Sequence, residues 1–253
     1  MARMQPDARF ERRSFHGDHR GTEDTEEDFN SISEDMTDPH LQRLRRLDCC
    51  ALSDALDKLK LPGVVTGLPQ RSGQGRVAGR AVTVKLGTGD PTAGPPKHLG
   101  CTAIEAAGPD SVIVVEQRSG LEAGCWGGLL SLGAKVRGVA GVVADGPVRD
   151  IDEAIGHDFA VFSRALTSFT ARGRVVEKGT GVPVQIGSVT VDAGDYVVAD
   201  RSAVVFIAAA DIDRVLDAAE QIVAKEAAMA KAILAGMPIG TVMGGAYEHM
   251  LKG

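Results

Sequence analysis

Residues 137–153 read RGVAGVVADGPVRDIDE, and this stretch predicts how the chain folds around a site. The apolar run over residues 139–144 predicts a buried strand, and the Asp145-Gly146-Pro147 that follows predicts the turn where this strand stops. Side chains that follow such a strand gather at the edge of an α/β sheet, where ligands bind. The side chains that come next are Arg149, Asp150 and Glu153.

These three side chains have the chemistry of a site for an anion and a metal ion. The planar, permanently charged guanidinium of Arg149 suits a carboxylate or a phosphate. Asp150 is an oxygen ligand of the kind that Mg²⁺ or Mn²⁺ prefers, and Glu153 lies about one helical turn further on. The same pattern is typical of the exposed first turn of a helix, where acids complement the helix dipole. The motif alone leaves both interpretations open.

Composition excludes several classes of protein. The chain has 253 residues, of which 43% are hydrophobic, and a formal net charge of −6. An acidic chain without a long basic patch gives no indication of nucleic-acid binding. Its apolar runs are shorter than the roughly 18–20 residues of a membrane span, and its polar N-terminus does not resemble a secretory signal. We expect a cytoplasmic protein with no membrane or nucleic-acid partner.

The four cysteines indicate neither a disulfide framework nor a structural zinc site. They are Cys49, Cys50, Cys101 and Cys125; none forms a C-x-x-C pair, and no histidine stands at zinc-finger spacing from them. Reduced thiols are therefore expected, as is usual in a cytoplasm. Cys125 has no histidine close in sequence to activate it, so a structural or pocket-lining role is expected.

The distribution of hydrophobic residues predicts three segments. Residues 1–37 are charged and poor in hydrophobic residues, so they are expected to form a disordered tail. Residues 38–236 hold the predicted strands and helices, and residues 237–253 form a C-terminal tail. Strands and helices alternate first, strands then cluster, and a long helix closes the domain. This order predicts a mixed α/β fold with sheet and helix layers.

Local signals predict the individual elements. Asp38-Pro39 predicts the start of a helix, because an N-cap acid precedes a proline, and leucines at helical spacing extend this helix to residue 61. Residues 70–79 and 164–181 are predicted to be irregular. The predicted strands are residues 80–86, 111–116, 159–162, 183–186, 189–191, 196–199 and 203–208, and the later helices are residues 98–107, 129–136, 211–234 and one that ends near residue 156.

A glycine-rich loop, residues 117–128, runs into the helix predicted over residues 129–136. Glycines ahead of a helix allow backbone N–H groups to surround an anion. The loop has neither the spacing of a P-loop nor that of a dinucleotide-binding fingerprint. An anion cradle and a flexible connector are therefore equally supported. Trp126, the only tryptophan, fits a pocket wall as well as a core position.

Several short stretches together resemble the RraA-like family, which includes the 4-hydroxy-4-methyl-2-oxoglutarate aldolases. They are Leu52-Ser53-Asp54-Ala55-Leu56, residues 79–84 (GRAVTV), residues 137–150, residues 183–187 (PVQIG), and Gly194-Asp195 with Val198-Ala199-Asp200. The resemblance covers about residues 41–235. It implies a layered α/β/β/α fold of the swivelling-domain type, with mixed sheets and flanking helices. It also implies a homotrimer or homohexamer with sites at subunit interfaces.

The resemblance further implies a metal-dependent lyase, an aldolase or decarboxylase that cleaves a 2-keto acid through a pyruvate enolate. Arg149 and Asp150 are then the catalytic residues. The substrate carboxylate would be held by Arg149 and by the backbone of Gly127, Gly128, Leu129 and Leu130. The divalent metal, usually Mg²⁺ with Mn²⁺ as the other candidate, would lie among Asp150, Glu153 and, from a neighbouring subunit, Glu226.

One position departs from the family pattern. Family aldolases carry an acid with twenty residues between it and the arginine, and this position is Gly128 here. That acid serves proton transfer; Glu116, Glu122 and Asp145 are candidates to replace it, and Gly128→Asp is expected to restore it. A second interpretation therefore stays open. The chain would then be a member without aldolase activity, either a binding protein of the RNase E inhibitor type or an enzyme with different chemistry in the same pocket.

Overall fold

A computed structural model describes residues 38–91, 94 and 97–244. Within these ranges a large mixed sheet forms the centre of the fold and helices flank it, so the predicted mixed α/β architecture is confirmed. None of the helices in the described ranges combines the length and the apolar character that a membrane crossing requires. The tail predicted over residues 1–37 and the last part of the predicted C-terminal tail, residues 245–253, lie outside the described residues.

Eleven strands and seven α-helices lie within the described residues. The strands are β1 Val64–Val65, β2 Gln70–Ser72, β3 Val77–Gly87, β4 Ser111–Gln117, β5 Gly141–Val148, β6 Val161–Leu166, β7 Val176–Thr180, β8 Val184–Ile186, β9 Val189–Val191, β10 Tyr196–Ala199 and β11 Val204–Ile207. The helices are α1 Pro39–Leu44, α2 Cys49–Leu59, α3 Cys101–Ala106, α4 Gly128–Val136, α5 Ile151–Gly156, α6 Ile212–Leu234 and α7 Ile239–Val242.

The nine-stranded sheet has the order β1-β11-β10-β3-β4-β5-β6-β2, and β7 pairs with the far end of β3. Strands β3, β4, β5 and β6 run parallel, whereas the pairs on either side of them are antiparallel. The predicted hairpin across residues 187–188 is confirmed as β8–β9, a separate two-stranded sheet. Because β4 and β5 are parallel neighbours, the segments that follow both strands emerge at the same edge of the sheet.

Buried side chains form three clusters around this sheet. One cluster lies under α3, α4 and α5 and includes Trp126 and Phe159. A second joins α1, α2 and α6 to β10 and β11. The third lies where the β8–β9 hairpin covers the sheet. The first cluster fixes α4 and α5 against the parallel strands.

The single helix predicted from residue 38 to residue 61 is wrong, because the chain breaks it into α1 and α2. The Asp38 carboxylate accepts from the His40 backbone N–H at 2.9 Å, which confirms the predicted N-cap. A second cap, Asp48, accepts from the Ala51 N–H at 2.8 Å and starts α2. The leucine spacing is compatible with both arrangements, since both helices bury leucines in the same cluster.

The prediction that the central strand stops at Asp145-Gly146-Pro147 is also wrong. Strand β5 continues to Val148, and its register against β6 shifts between Ala144 and Pro147. A proline cannot donate to a neighbouring strand, so it is accommodated at such an irregularity. The irregular structure predicted over residues 70–79 and 164–181 is wrong in part, because these segments contain β2 and β7 and the ends of β3 and β6.

Candidate active site

Two segments meet at the carboxyl edge of the parallel strands. The glycine-rich loop leaves β4, and residues 149–153 leave β5. Backbone hydrogen bonds join them: Cys125 N–H donates to Pro147 O at 2.8 Å, and Arg149 N–H donates to Trp126 O at 3.0 Å. The loop is thus fixed against β5, which contradicts the flexible-connector interpretation and places the Arg149-Asp150 pair beside the start of α4.

Asp150 turns the chain from β5 into α5. Its φ of 55° and ψ of 40° lie in the left-handed region, which is uncommon for a residue with a side chain. The turn directs its carboxylate to the start of α4, where Oδ2 accepts from the Gly128 N–H at 3.2 Å. Both carboxylate oxygens also lie 3.1 Å from Arg149 Nε. Asp150 is therefore held in place by an arginine and by the N-terminus of α4.

Three glycines of the loop allow three side chains to approach its backbone. A Cβ built on Gly124 would lie 3.0 Å from Arg149 Cγ and Cδ. One on Gly127 would lie 2.9 Å from Asp150 Oδ2, and one on Gly128 would lie 1.8 Å from Glu153 Oε2. Two of these distances are too short for a real Cβ unless the side chain moves, and the distance at Gly124 is at the limit, so these glycines leave room for the three side chains.

The three side chains line an open cleft of about 520 Å³. Among the described residues, Arg149 forms side-chain hydrogen bonds through Nε alone. Both terminal guanidinium nitrogens therefore remain available to a ligand. The amides of Leu129 and Leu130 belong to the first turn of α4 and precede its first internal bond, from Ser131 N–H to Gly127 O. These donors together fit a carboxylate at the end of β5.

The remaining cleft residues were not indicated by a motif. Thr170, Ala171 and Arg172 come from the segment after β6, and His98 and Leu99 come from the loop before α3. Arg172 adds a second cation to the lining, and His98 Nδ1 lies 2.9 Å from Leu99 O. Residues 170–172 lie in a segment predicted to be irregular, whereas residues 98 and 99 were predicted as the start of a helix that begins at Cys101 instead. The approach of both segments to β5 follows from the sheet order rather than from any local spacing.

Of the three acids predicted for the metal site, two come together within one chain, and the third was predicted to come from a neighbouring copy. Asp150 and Glu153 line the cleft, whereas Glu226 is exposed on α6 and is not among the cleft residues of this chain. Across the described residues no group of three His, Cys, Asp or Glu side chains is arranged to hold a metal ion. A site for Mg²⁺ does not require one, because Mg²⁺ usually binds one or two carboxylates together with water and substrate oxygens.

The three acids considered as replacements for an acid at residue 128 are engaged elsewhere. Glu116 accepts from the Gln185 N–H at 2.7 Å. Asp145 pairs with Arg164 and accepts from the Gly187 N–H at 2.7 Å. Glu122 accepts from the Thr167 hydroxyl at 3.2 Å and is absent from the cleft lining. These bonds hold the β8–β9 hairpin and the loop in place, so none of the three acids is free for the cleft.

Cys125 and Trp126 are structural. Burial raises the pKa of the Cys125 thiol to about 12, and its Sγ lies 3.0 Å from Pro147 O. Such a thiol is not ionised at neutral pH and is not a nucleophile.

Trp126 is buried, and its indole N–H donates to Ser131 Oγ at 3.0 Å. It belongs to the core under α4 and also forms one wall of the cleft, so both roles predicted for it are combined.

The fold and the cleft define a class of protein: a mixed α/β domain with an arginine–carboxylate site at the carboxyl edge of its parallel strands. The chain belongs to the RraA-like family, described as Aldolase/RraA, whose pattern matches residues 49–206, more than half of the chain. The resemblance drawn from the short stretches of sequence is thereby confirmed.

Relatives and solved structures share much of the chain at modest identity. A Halalkalibacterium halodurans protein named "Putative 4-hydroxy-4-methyl-2-oxoglutarate aldolase" is 29% identical over 194 residues, 76% of this chain and 88% of that protein. Legionella pneumophila DlpA is 27% identical over 178 residues, but the chain spans only 29% of its length. A crystal structure of an uncharacterized Pseudomonas syringae pv. tomato protein has a TM-score of 0.72 and 28% identity, covering 81% of this chain and 96% of that one.

Proposed function

We propose that the protein is a metal-dependent lyase that cleaves a carbon–carbon bond of a 2-keto acid and releases pyruvate. The observation that supports this most directly is the Arg149-Asp150 pair at the end of β5. It presents two available guanidinium nitrogens and a fixed carboxylate to one cleft. Membership of a family described as Aldolase/RraA agrees with that chemistry.

The cleft residues would hold the substrate by its carboxylate. Arg149 offers a bidentate contact, and the amides of Leu129 and Leu130 add donors at the positive end of the α4 dipole. Charge-assisted hydrogen bonds of this kind are worth roughly 1.5–3 kcal/mol each. They orient the 2-keto group toward Asp150. Trp126 and Leu130 form the apolar side of the cleft.

The donor set fits Mg²⁺ or Mn²⁺ better than zinc. Asp150 supplies hard carboxylate oxygens, Glu153 lies on the same cleft, and the cysteines among the described residues lie outside the cleft lining. When bound at Asp150, such an ion would supply positive charge to stabilise a developing enolate. The protein's own contribution is to hold the substrate carboxylate on Arg149 and to keep Asp150 oriented through the Gly128 N–H.

We also propose that copies of this chain assemble as a trimer or hexamer. The exposed face of α4 carries Leu129, Leu132 and Val136, and Leu129 and Val136 are 82% and 78% exposed. Apolar side chains grouped on one helix face beside a cleft are typical of a subunit interface. Glu226 of a neighbouring copy is then the proposed third acid of the site.

The direct test is pyruvate release from oxaloacetate and from 4-hydroxy-4-methyl-2-oxoglutarate, with Mg²⁺ and with a chelator. We expect release from at least one substrate that depends on the metal. Arg149→Lys should lower kcat/KM by about 10- to 100-fold, because lysine cannot form the bidentate contact. The matched control is Arg201→Lys, an exposed arginine outside the cleft. A folded protein that binds the metal and releases no pyruvate from either substrate would contradict the proposal.

A further inference from the structure

The Glu153 carboxylate occupies the space in which a side chain of residue 128 would begin. A Cβ on Gly128 would lie 1.8 Å from Glu153 Oε2, 2.5 Å from its Cδ and 3.1 Å from its Cβ. A carbon–carbon bond is about 1.5 Å long. Oε2 of Glu153 therefore lies about one bond length from that Cβ, where the carboxyl carbon of an aspartate at position 128 would lie in one of its rotamers, although Glu153 comes from α5 instead of α4.

The contacts around Glu153 leave its carboxylate available for chemistry. The Gly128 N–H donates to Asp150, and no described residue forms a hydrogen bond or an ion pair with the Glu153 side chain. Glu153 is solvent-exposed and lines the same cleft as Arg149 and Asp150. An unpaired acid at this place can accept a proton from a bound substrate and exchange it with water.

We propose that Glu153 is the proton-transfer group of this cleft, and that it takes the place of an acid at position 128, where this chain has glycine. This inference rests on the proposed lyase function. It also distinguishes proton transfer from metal binding as the role of Glu153. A carboxylate that transfers protons must be able to bind a proton during the reaction, whereas a carboxylate that binds the metal stays deprotonated. Asp150, with its two donors, remains the ligand for the metal.

The proposed step balances for a 4-hydroxy-2-keto acid. The Glu153 carboxylate takes the proton of the C4 hydroxyl, the hydroxyl oxygen forms a carbonyl, and the C3–C4 bond breaks. The electron pair of that bond passes into the enolate of pyruvate, whose carboxylate Arg149 holds. Glu153 then returns the proton to C3, so that pyruvate and a carbonyl compound leave and the carboxylate is regenerated. Oxaloacetate has no hydroxyl to deprotonate, and its enolate can take a proton from water after CO₂ has left.

This difference between the substrates gives the test. Glu153→Gln keeps the shape of the side chain and removes its ability to take up a proton. We expect kcat for the hydroxy-keto acid to fall by about 10²- to 10⁴-fold, while oxaloacetate decarboxylation falls far less and Mn²⁺ binding by calorimetry is unchanged. Asp152→Asn, an exposed acid on the same turn of α5 and outside the cleft lining, is the matched control and should behave as wild type. Loss of Mn²⁺ binding in Glu153→Gln would overturn the inference in favour of a metal ligand.

A double-mutant cycle tests the shared space through the melting temperature as well as through activity. Gly128→Asp should lower the melting temperature, because it brings a second negative charge beside the Glu153 carboxylate, which must turn away to admit the new side chain. The gain of activity that the sequence predicts for this variant is therefore not expected. In Gly128→Asp with Glu153→Ala, the melting temperature should recover, and cleavage of the hydroxy-keto acid should exceed that of Glu153→Ala alone by tenfold or more. Additive melting temperatures, or no recovery of cleavage, would overturn the inference.

The two proposals fail in different ways. A wild type that binds Mn²⁺ but releases no pyruvate overturns the lyase function, and the proton-transfer assignment with it. An active wild type whose Glu153→Gln variant cleaves the hydroxy-keto acid equally well overturns only the assignment of Glu153.

Discussion

At the scale of single residues, Asp150 combines an unfavourable backbone conformation with a side chain that lines the cleft. Residues in the left-handed region persist where the surrounding structure determines them, and they occur often at ligand sites. Its φ of 55° lets one residue end β5, start α5 and direct a carboxylate to the Gly128 N–H. Asparagine tolerates this conformation about as well as aspartate does.

We therefore expect Asp150→Asn to fold normally and to lose metal binding, because the amide oxygen is uncharged. Calorimetric titration with Mn²⁺ should show binding by wild type and at least a tenfold weaker affinity for the variant, while the melting temperature changes by only a few degrees. Asp152→Asn removes the same charge two residues away and serves as the control. Equal Mn²⁺ affinity in wild type and Asp150→Asn would remove Asp150 from the proposed metal site.

The sequence identifies some of these residues and not others, for a physical reason. Arg149 and Asp150 can be predicted because they directly follow an apolar strand, and the chemistry of strand ends is local. The relation between Gly128 and Glu153 cannot be predicted, because it depends on how α4 packs against α5 across 24 intervening residues. The absence of an acid at position 128 is thus compatible with a carboxylate close to that position in the fold, here that of Glu153.

At the scale of elements, α4 has two functions on opposite faces. Its buried residues Leu130 and Ala134 pack into the core, and its first turn offers amides to the cleft. Leu129, Leu132 and Val136 lie three and four residues apart and therefore share the exposed face. Because the same helix lines the cleft and carries an exposed apolar face, the proposed assembly would place a neighbouring copy beside the proposed site.

We expect Val136→Asp to weaken the assembly, because a charge buried in an apolar interface costs several kcal/mol. Light scattering coupled to gel filtration should show a trimer or hexamer for wild type and a smaller species for the variant, with lower pyruvate release. Gln42→Asp adds the same charge to an exposed position of α1 and is the control. If Val136→Asp keeps the wild-type mass, the face of α4 is not the interface.

Strand β5 shows where local signals mislead. Gly146 and Pro147 predict a turn from sequence, yet both lie within the strand. A Cβ on Gly146 would lie 2.7 Å from Gln117 Cβ, so this glycine allows β4 and β5 to approach each other. Pro147 accepts from Cys125 N–H through its carbonyl and needs no N–H of its own. Contacts with the glycine-rich loop therefore explain why glycine and proline fit these two positions of the strand. The sequence alone does not reveal those contacts.

At the scale of the whole molecule, two of the three core clusters hold a buried thiol whose ionisation is unfavourable. Burial raises the pKa of Cys125 to about 12, from an ordinary value of 9.0. Burial, and then the nearby Asp200 carboxylate, also raise the pKa of Cys49 in the cluster around α1, α2 and α6. Both thiols therefore keep their protons in the folded protein at pH values where the unfolded chain releases them.

This predicts a loss of stability at alkaline pH. From pH 9 to about 12 the folded state binds more protons than the unfolded state, so the free energy of unfolding falls as pH rises, by up to about 1.4 kcal/mol per pH unit for each thiol. Below pH 9 this contribution is fully present.

Urea unfolding at a series of pH values should show the decline, and Cys125→Ala should have a shallower slope than wild type. Cys50→Ala changes an exposed thiol and should leave the slope unaltered. Equal slopes in wild type and Cys125→Ala would show that Cys125 does not resist ionisation, and the thiol would then have to be reconsidered as a reactive group beside the cleft.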